Sequence, residues 1–121
     1  MGELSDLTAE LLRFRAEREW QRVHTIPALA AALSVEASEL LELTLWRPAD
    51  EVRERLADGA GQAAAASEIG DILMLALLIA HDLGVDPAAA VREKLRMNAA
   101  KYPASEVRGI ASKRPDRTRG G

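Results

Sequence analysis

The segment SVEASELLEL, residues 34–43, places three glutamates within a run of apolar residues that has helical spacing. Successive residues of a helix are rotated by about 100°. One apolar stripe therefore collects Leu29, Leu33, Leu40 and Leu43. On the same spacing Glu36 falls inside the stripe, Glu39 lies at its edge and Glu42 points away from it. Two of the three carboxylates therefore occupy positions that a helix usually gives to apolar side chains.

A second carboxylate pair with the same spacing follows in a later apolar segment. Glu68 falls inside the stripe of its helix, and Asp71 lies at its edge. A carboxylate among apolar groups costs free energy unless it is paired or binds a metal. One such pair often arises by chance. Two pairs, Glu36 with Glu39 and Glu68 with Asp71, favour a metal site. Oxygen ligands suit Mg²⁺ or Mn²⁺, and the chain has no cysteine for a thiolate zinc site.

Composition indicates a single helical domain and excludes several classes of function. Of the 121 residues, 48 % are hydrophobic and only 3 % aromatic, with alanine and leucine far more frequent than β-branched residues. The net charge of −3 and the interleaved charges argue against a nucleic-acid-binding surface. The longest apolar run, residues 72–80, is shorter than a membrane helix of roughly 20 residues. Together with the absence of cysteine, this predicts a cytoplasmic protein without membrane contact.

Helix signals predict an all-α, four-helix bundle-type domain over residues 1–103, with a short linker helix. The predicted segments are residues 5–24, residues 27–46, the linker at 49–57, residues 62–83 and residues 87–101. Residues 58–61, Asp-Gly-Ala-Gly, predict a flexible break before the third long helix. That helix is apolar on nearly all sides, which is typical of a bundle centre or a subunit interface. Residues 104–121 are predicted to form a basic, disordered tail.

The fourth long helix combines polar side chains with a predicted buried face. Asn98 shares that face with Val91, Leu95 and Tyr102, while Lys94 and Lys101 flank it on one side. Lysine neutralises phosphate oxygens, and asparagine both donates and accepts hydrogen bonds. A solvated lysine face with a buried asparagine is the simpler alternative, and the carboxylate pairs are the reason to prefer a phosphate site.

The two tryptophans are conspicuous because the chain has so few aromatic residues. Trp46 is predicted two turns beyond Glu39 on the same flank of the second helix, beside the metal site. Trp20 and His24 are four residues apart at the end of the first helix. Ordinary packing is the alternative for each, but an indole in this position can also stack on a flat ring.

Together these motifs resemble the MazG-like nucleotide pyrophosphohydrolases of the all-α NTP pyrophosphatase superfamily. The matching motifs are Glu36-x-x-Glu39, Glu68-x-x-Asp71 and Lys94-x-x-x-Asn98-x-x-Lys101-Tyr102-Pro103. The stretch FRAEREWQRVH, residues 14–24, is most similar to the dCTP pyrophosphatase branch. Leu11 and Leu75 stand where that branch has a histidine and an aromatic residue, so the base specificity stays open.

The resemblance implies Mg²⁺-dependent hydrolysis of a nucleoside triphosphate between the α- and β-phosphates. It implies dCTP or a base-modified dCTP as substrate, with dUTP or a broad set of NTPs as the alternative. The implied metal ligands are Glu36, Glu39, Glu68 and Asp71, and Glu36 or Glu39 would activate water. Lys94, Asn98, Lys101 and Tyr102 would bind the phosphates, and Trp20, His24 and Trp46 the base and sugar. It also implies a homo-oligomer, commonly a tetramer of two dimers. The alternative to an enzyme is a non-catalytic helical oligomerisation module.

Overall fold

The computed structural model describes residues 2–109, and all regular secondary structure in that range is helical. In chain order the helices are α1 (Glu3–Glu17), α2 (Ile26–Glu42), α3 (Ala49–Leu56), α4 (Gly59–Asp82), α5 (Pro87–Lys101) and α6 (Ala104–Val107), and a 3-10 turn, Trp20–Arg22, separates α1 from α2. The all-α class is confirmed, and the four long helices and the linker helix follow in the predicted order. The predicted tail begins with α6, and its residues 110–121 lie outside the described residues.

The chain divides into two compact units between Val85 and Asp86. In the first unit α4 is the central helix, because α1, α2 and α3 all pack against it, α2 most extensively. Among the described residues the buried apolar side chains are Leu29 on α2 and Leu77 and Leu78 on α4. The packing of α2 on α4 therefore forms the core of this unit and sets the two carboxylate-bearing helices side by side.

The first two long helices end earlier than predicted. α1 ends at Glu17, because Glu19 has a left-handed backbone with φ of 53° and the 3-10 turn follows. α2 begins with a Thr25 cap whose side chain accepts a hydrogen bond from the Ala28 backbone N–H. It ends at Glu42, and Trp46 has φ of 65°. Such backbone conformations are uncommon for residues other than glycine, and propensity alone does not foresee them.

The predicted flexible break at residues 58–61 is wrong, because α4 begins at Gly59. A Cβ atom on Gly61 would lie 1.8 Å from the backbone oxygen of Arg55 at the end of α3. That distance is far below any allowed contact, so α3 and α4 approach each other so closely that only glycine fits there. The glycine that suggested flexibility is instead required for helix packing.

By length and composition alone, α4 is long and apolar enough to cross a membrane, with 24 residues and a mean hydropathy of 1.8 in its most apolar window. The uninterrupted apolar run at residues 72–80 underestimates the length of the apolar part of α4, because alanines and glycines extend it toward the start of the helix. A mostly buried core helix of a soluble protein passes the same test; α4 is the helix on which its unit packs, but only 11 % of its most apolar window is buried. The absence of membrane contact stays a prediction.

The second unit is described from Asp86 to Gly109. Asp86 caps α5, its side chain accepting a hydrogen bond from the Ala89 backbone N–H. No described residue of the second unit buries the predicted face of α5, where Val91 and Leu95 are 58 % and 63 % exposed. That face therefore stays a prediction.

Candidate active site

Three of the four predicted metal ligands converge where α2 packs on α4. Glu36 and Glu39 are one helical turn apart on α2, and Glu68 extends from α4. One carboxylate oxygen from each of the three lies within 4.8 Å of the others, and all three residues are half-buried. Glu42, one turn further along α2, is exposed as predicted. We refer to Glu36, Glu39 and Glu68 as the carboxylate cluster.

Asp71, the fourth predicted ligand, lies beside the carboxylate cluster without belonging to its tightest group. Its negative charge raises the pKa of Glu36, and the two side chains line the same cavity. The structure therefore gathers four acidic side chains from two helices in one region.

Neighbouring carboxyl groups raise the pKa values of Glu36 and Glu39. The pKa of Glu36 is raised, chiefly because the Glu68 carboxyl is placed to hydrogen-bond its protonated form, and burial adds to the shift. The pKa of Glu39 is raised mainly by Glu36. When the carboxylates are ionised, the buried Oε2 atoms of Glu36 and Glu68 have no hydrogen-bond partner in the described part of the chain. A proton or a cation from outside the protein would satisfy them.

A cavity of about 220 Å³ adjoins the cluster. Its lining includes Glu36 and Asp71, from the predicted metal site, together with Trp20 and His24, two of the residues predicted to enclose the base and sugar. The structure thus brings both kinds of predicted site residue to one cavity inside the first unit. Much of the remaining wall is apolar, with Leu75 and Leu78 of α4 among its residues.

Aromatic contacts fix the wall of the cavity near the end of α1. The Phe14 and Trp20 rings meet edge to face with centroids 5.8 Å apart, and the His24 ring lies 5.8 Å from Trp20. The Arg18 guanidinium carbon sits 3.6 Å from the centroid of Phe14, within the range of a cation–π contact. The Nδ1 atom of His24 is buried and has no hydrogen-bond partner among residues 2–109. This wall combines flat rings with one polar atom that lacks a partner.

Sequence reasoning missed Arg15, a buried residue that lines the same cavity. Its Nη1 and Nη2 atoms each donate to one oxygen of Asp82 near the end of α4, both at 2.8 Å. The hydrogen bonds from Arg15 lower the pKa of Asp82. A signal existed, because Arg15 lies one helical turn after Leu11, so it stands in an apolar stripe just as Glu36 does.

Comparison with known proteins decides the family. A family model described as the MazG-like family matches residues 31–116. This chain belongs to the MazG-like family. It is similar to dCTP pyrophosphatase 1 of Bos taurus, with 34 % identity over 113 residues that span 93 % of this chain and 67 % of the relative. It is also similar to dCTP pyrophosphatase 1 of Homo sapiens, with 32 % identity over 91 % of this chain and 65 % of the relative.

A solved structure agrees with this assignment. The crystal structure of a pyrophosphatase from Archaeoglobus fulgidus superposes with a TM-score of 0.76 at 34 % identity, covering 85 % of this chain and 94 % of that one. The MazG-like chain is therefore an enzyme, a nucleoside triphosphate pyrophosphatase. The alternative of a non-catalytic oligomerisation module is wrong.

Trp46 of this MazG-like enzyme lies apart from the cavity. The sequence predicts Trp46 at the end of the second helix. In the structure α2 ends at Glu42, and the Trp46 residue is 95 % exposed. Trp46 is not among the residues that line the cavity in the described chain. The predicted helical placement is wrong, while its predicted contact with a base stays a prediction.

The remaining predicted ligands lie in the second unit, on the last turns of α5 and at its C-cap. Lys94, Asn98 and Lys101 are exposed, and Tyr102 is half-buried. The Tyr102 backbone N–H donates to the Asn98 carbonyl at 2.7 Å, and the Lys101 Nζ lies 5.2 Å from the Tyr102 ring centroid. These four residues form a local polar group, and their contact with phosphates stays a prediction.

Proposed function

We propose that this MazG-like enzyme hydrolyses dCTP or a base-modified dCTP between the α- and β-phosphates, giving the monophosphate and pyrophosphate. The observation that carries the proposal is the single cavity lined by acidic Glu36 and Asp71 and by the rings of Trp20 and His24. One set of side chains suits a cation and its phosphates, and the other suits a base. The name dCTP pyrophosphatase 1, carried by the relatives, supports the choice of base.

The acidic side chains fit a divalent cation. All the donor atoms are carboxylate oxygens, the set that Mg²⁺ and Mn²⁺ prefer. The buried Oε2 atoms of Glu36 and Glu68, which lack partners among residues 2–109, give the cation a structural reason to bind. We propose Glu36, Glu39, Glu68 and Asp71 as the ligands of Mg²⁺, with Mn²⁺ as a substitute. When bound, such a cation neutralises phosphate charge and makes a coordinated water easier to deprotonate.

The remaining proposed roles are activation of water, binding of the phosphates and binding of the base and sugar. We propose Glu36 or Glu39 as the group that activates the attacking water, because both carboxylates lie in the cluster proposed to hold the cation and can accept a proton. Phosphate contacts are proposed for Lys94, Asn98, Lys101 and Tyr102, whose donors and positive charges complement phosphate oxygens. Contacts with the base and sugar are proposed for Trp20, His24 and Trp46.

A homo-oligomer is part of the proposal. On α4 the large apolar residues Ile69 and Leu73 are 47 % and 53 % exposed in the single chain. Exposed apolar residues on the central helix of a small unit favour burial against another copy. We propose a tetramer of two dimers in the cytoplasm, acting on a free nucleotide without nucleic acid. Light scattering that gives the mass of a single chain at micromolar concentration would contradict the tetramer.

A second candidate substrate class follows from Leu11 and Leu75. Both side chains line the cavity. They replace the histidine and the aromatic residue expected in the dCTP pyrophosphatase branch, so two polar or aromatic side chains of that branch are apolar and aliphatic in this cavity. This favours dUTP or a broad set of NTPs as the alternative, with the same chemistry.

The experiment that tests the proposal is pyrophosphate release from dNTPs, NTPs and 5-modified dCTPs in the presence of Mg²⁺. Glu39→Gln keeps the size of the side chain and removes its charge, so we expect release to fall about 100-fold. Glu42→Gln, on the exposed side of α2, is the matched control and should keep wild-type activity. The ranking of nucleotides decides between the two substrate classes. No release from any nucleotide by the folded wild type would overturn the proposal.

A further inference from the structure

Arg15 lines the cavity although its charge is already neutralised. The residue is 8 % exposed, and Asp82 holds its guanidinium through two hydrogen bonds of 2.8 Å. This fork geometry fixes the plane of the guanidinium as well as its position. Arg18, three residues later, is instead exposed and contacts the Phe14 ring. The buried arginine is therefore a rigid part of the cavity wall.

Several donors of Arg15 are left without a protein acceptor. Of the five N–H donors of a guanidinium, Asp82 accepts two. Within residues 2–109, the side chain makes no hydrogen bond to any other acceptor. A ligand in the cavity that supplies an acceptor can take up these remaining N–H donors. The cavity thus has an unmet hydrogen-bonding capacity on its α1 wall.

The pairing with Asp82 determines which acceptor suits these donors. The ion pair has no net charge, so it attracts a phosphate less than a free arginine would. A neutral carbonyl oxygen needs only a correctly placed donor. The Phe14 and Trp20 rings near Arg15 provide flat apolar surfaces for a heterocycle, and His24 Nδ1 adds another polar atom without a partner. These surroundings are those of a base rather than of a triphosphate.

We infer that Arg15 is a specificity-determining residue that donates a hydrogen bond to the ring carbonyl oxygen of a pyrimidine base. The inference rests on the proposed function and adds a base-reading contact to it. Asp82 is the positioning residue, because it acts by orienting the guanidinium. A site built to hydrogen-bond a substrate group rejects an analogue that lacks the group more strongly than an apolar pocket does.

The test compares dCMP with 2-thio-dCMP, in which sulfur, a weaker acceptor, replaces the ring carbonyl oxygen. Calorimetry on the full chain without metal measures binding independently of hydrolysis. The wild type should bind dCMP about tenfold more tightly, which corresponds to one good hydrogen bond. The double variant Arg15→Met/Asp82→Leu should bind the two nucleotides equally. Replacing both ions by apolar groups removes the donors without leaving a buried charge, so this variant should remain folded.

Two further variants separate base reading from other roles of Arg15. Arg15→Lys keeps the charge but lacks the planar fork, and it should also lose the preference for dCMP. Arg13→Met, an exposed arginine on the same helix outside this cavity, should behave as the wild type. A purely structural role would change the melting temperature of the Arg15 variants and leave the preference intact.

Three results would overturn the inference. The first is a folded double variant that keeps the preference for dCMP. The second is an equal loss of affinity for dCMP, 2-thio-dCMP and inorganic pyrophosphate, which would mean that Arg15 contacts phosphate. The third is a wild type that does not distinguish the two nucleotides. Pyrophosphate release from dCTP is measured separately, so a wild type that hydrolyses dCTP without preferring the oxygen analogue contradicts base reading and leaves the proposed function standing.

Discussion

The carboxylate cluster and the Arg15–Asp82 pair are two charged groups in one small helical unit, and they differ in how their charge is compensated. In the pair, the arginine satisfies both oxygens of Asp82 and lowers its pKa. In the cluster, the neighbours of Glu36 are other carboxyl groups, and its pKa is raised. The two charges of the pair neutralise each other within the chain, whereas the charge of the cluster needs a proton or a cation from outside. An uncompensated charge therefore indicates a cation site, and an ion pair with free N–H donors suits a neutral acceptor.

The largest expected effect is on activity and comes from the cluster. Glu68→Gln removes one proposed metal ligand, so pyrophosphate release from the preferred nucleotide should fall about 100-fold. The melting temperature without metal should not fall, because the substitution relieves repulsion between like charges. Circular dichroism melts in EDTA and a pyrophosphate assay measure the two quantities. A lower melting temperature of Glu68→Gln without metal would show that the Glu68 carboxylate stabilises the fold. The charge of the cluster would then be compensated inside the protein, as it is in the Arg15–Asp82 pair.

The next effect is stabilisation by Mg²⁺. Free Mg²⁺ at about 100 times its dissociation constant should raise the free energy of unfolding by about 2.7 kcal/mol. The Arg15→Met/Asp82→Leu variant should keep this response, and Glu68→Gln should lose most of it. NaCl at equal ionic strength is the control. Equal responses from the two variants would mean that the cation does not bind at the cluster.

Breaking only one partner of the pair should cost stability. Asp82→Ala leaves the Arg15 side chain, which is 10 % exposed, without its counter-ion. We expect the free energy of unfolding to fall by about 2 kcal/mol. Urea denaturation measures this free energy. The double variant Arg15→Met/Asp82→Ala should recover most of the lost stability. If the double variant is as unstable as Asp82→Ala, lost packing rather than an unpaired charge is the cause.

The sequence predicted the helical fold and the cluster because both depend on local periodicity. Leu29 and Glu36 fall on one face of α2 through the 3.6-residue repeat, and α4 repeats the pattern at Glu68. Once α2 packs on α4, these positions must meet. The all-α class needs no information beyond this kind of pattern.

The failed predictions depend on contacts that are distant in sequence or on unusual backbone. Arg15 and Asp82 are 67 residues apart, so nothing local pairs them. Glu19 and Trp46 adopt positive φ without being glycine, which tertiary structure must stabilise. Gly61 looked like a flexible residue, yet it lies where α3 meets α4 too closely for a side chain. At each of these places the conformation depends on tertiary contacts that the local sequence does not show.

The smallest expected effect is the dependence of stability on pH, where the pair and the cluster should have opposite signs. The pKa of Asp82 is lowered, chiefly by Arg15, with His81 and His24 adding to the shift. Its contribution to stability is therefore complete above the ordinary aspartate value of about 3.9 and is lost as the pH falls through the lower native value. The stability difference between wild type and Asp82→Asn, measured by melts in EDTA, should shrink in that acidic range.

The cluster should behave in the opposite way in the same melts. The pKa of Glu36 is raised, so the folded state holds its proton over a range in which the unfolded chain has lost it. Without metal, stability should therefore fall as the pH rises from the ordinary glutamate value through the raised native value. Glu36→Gln should remove that fall and be at least as stable as the wild type at neutral pH. A wild type that gains stability across this range relative to Glu36→Gln would mean that the carboxylates are compensated inside the protein, as Asp82 is, and that the cluster has no need of a cation.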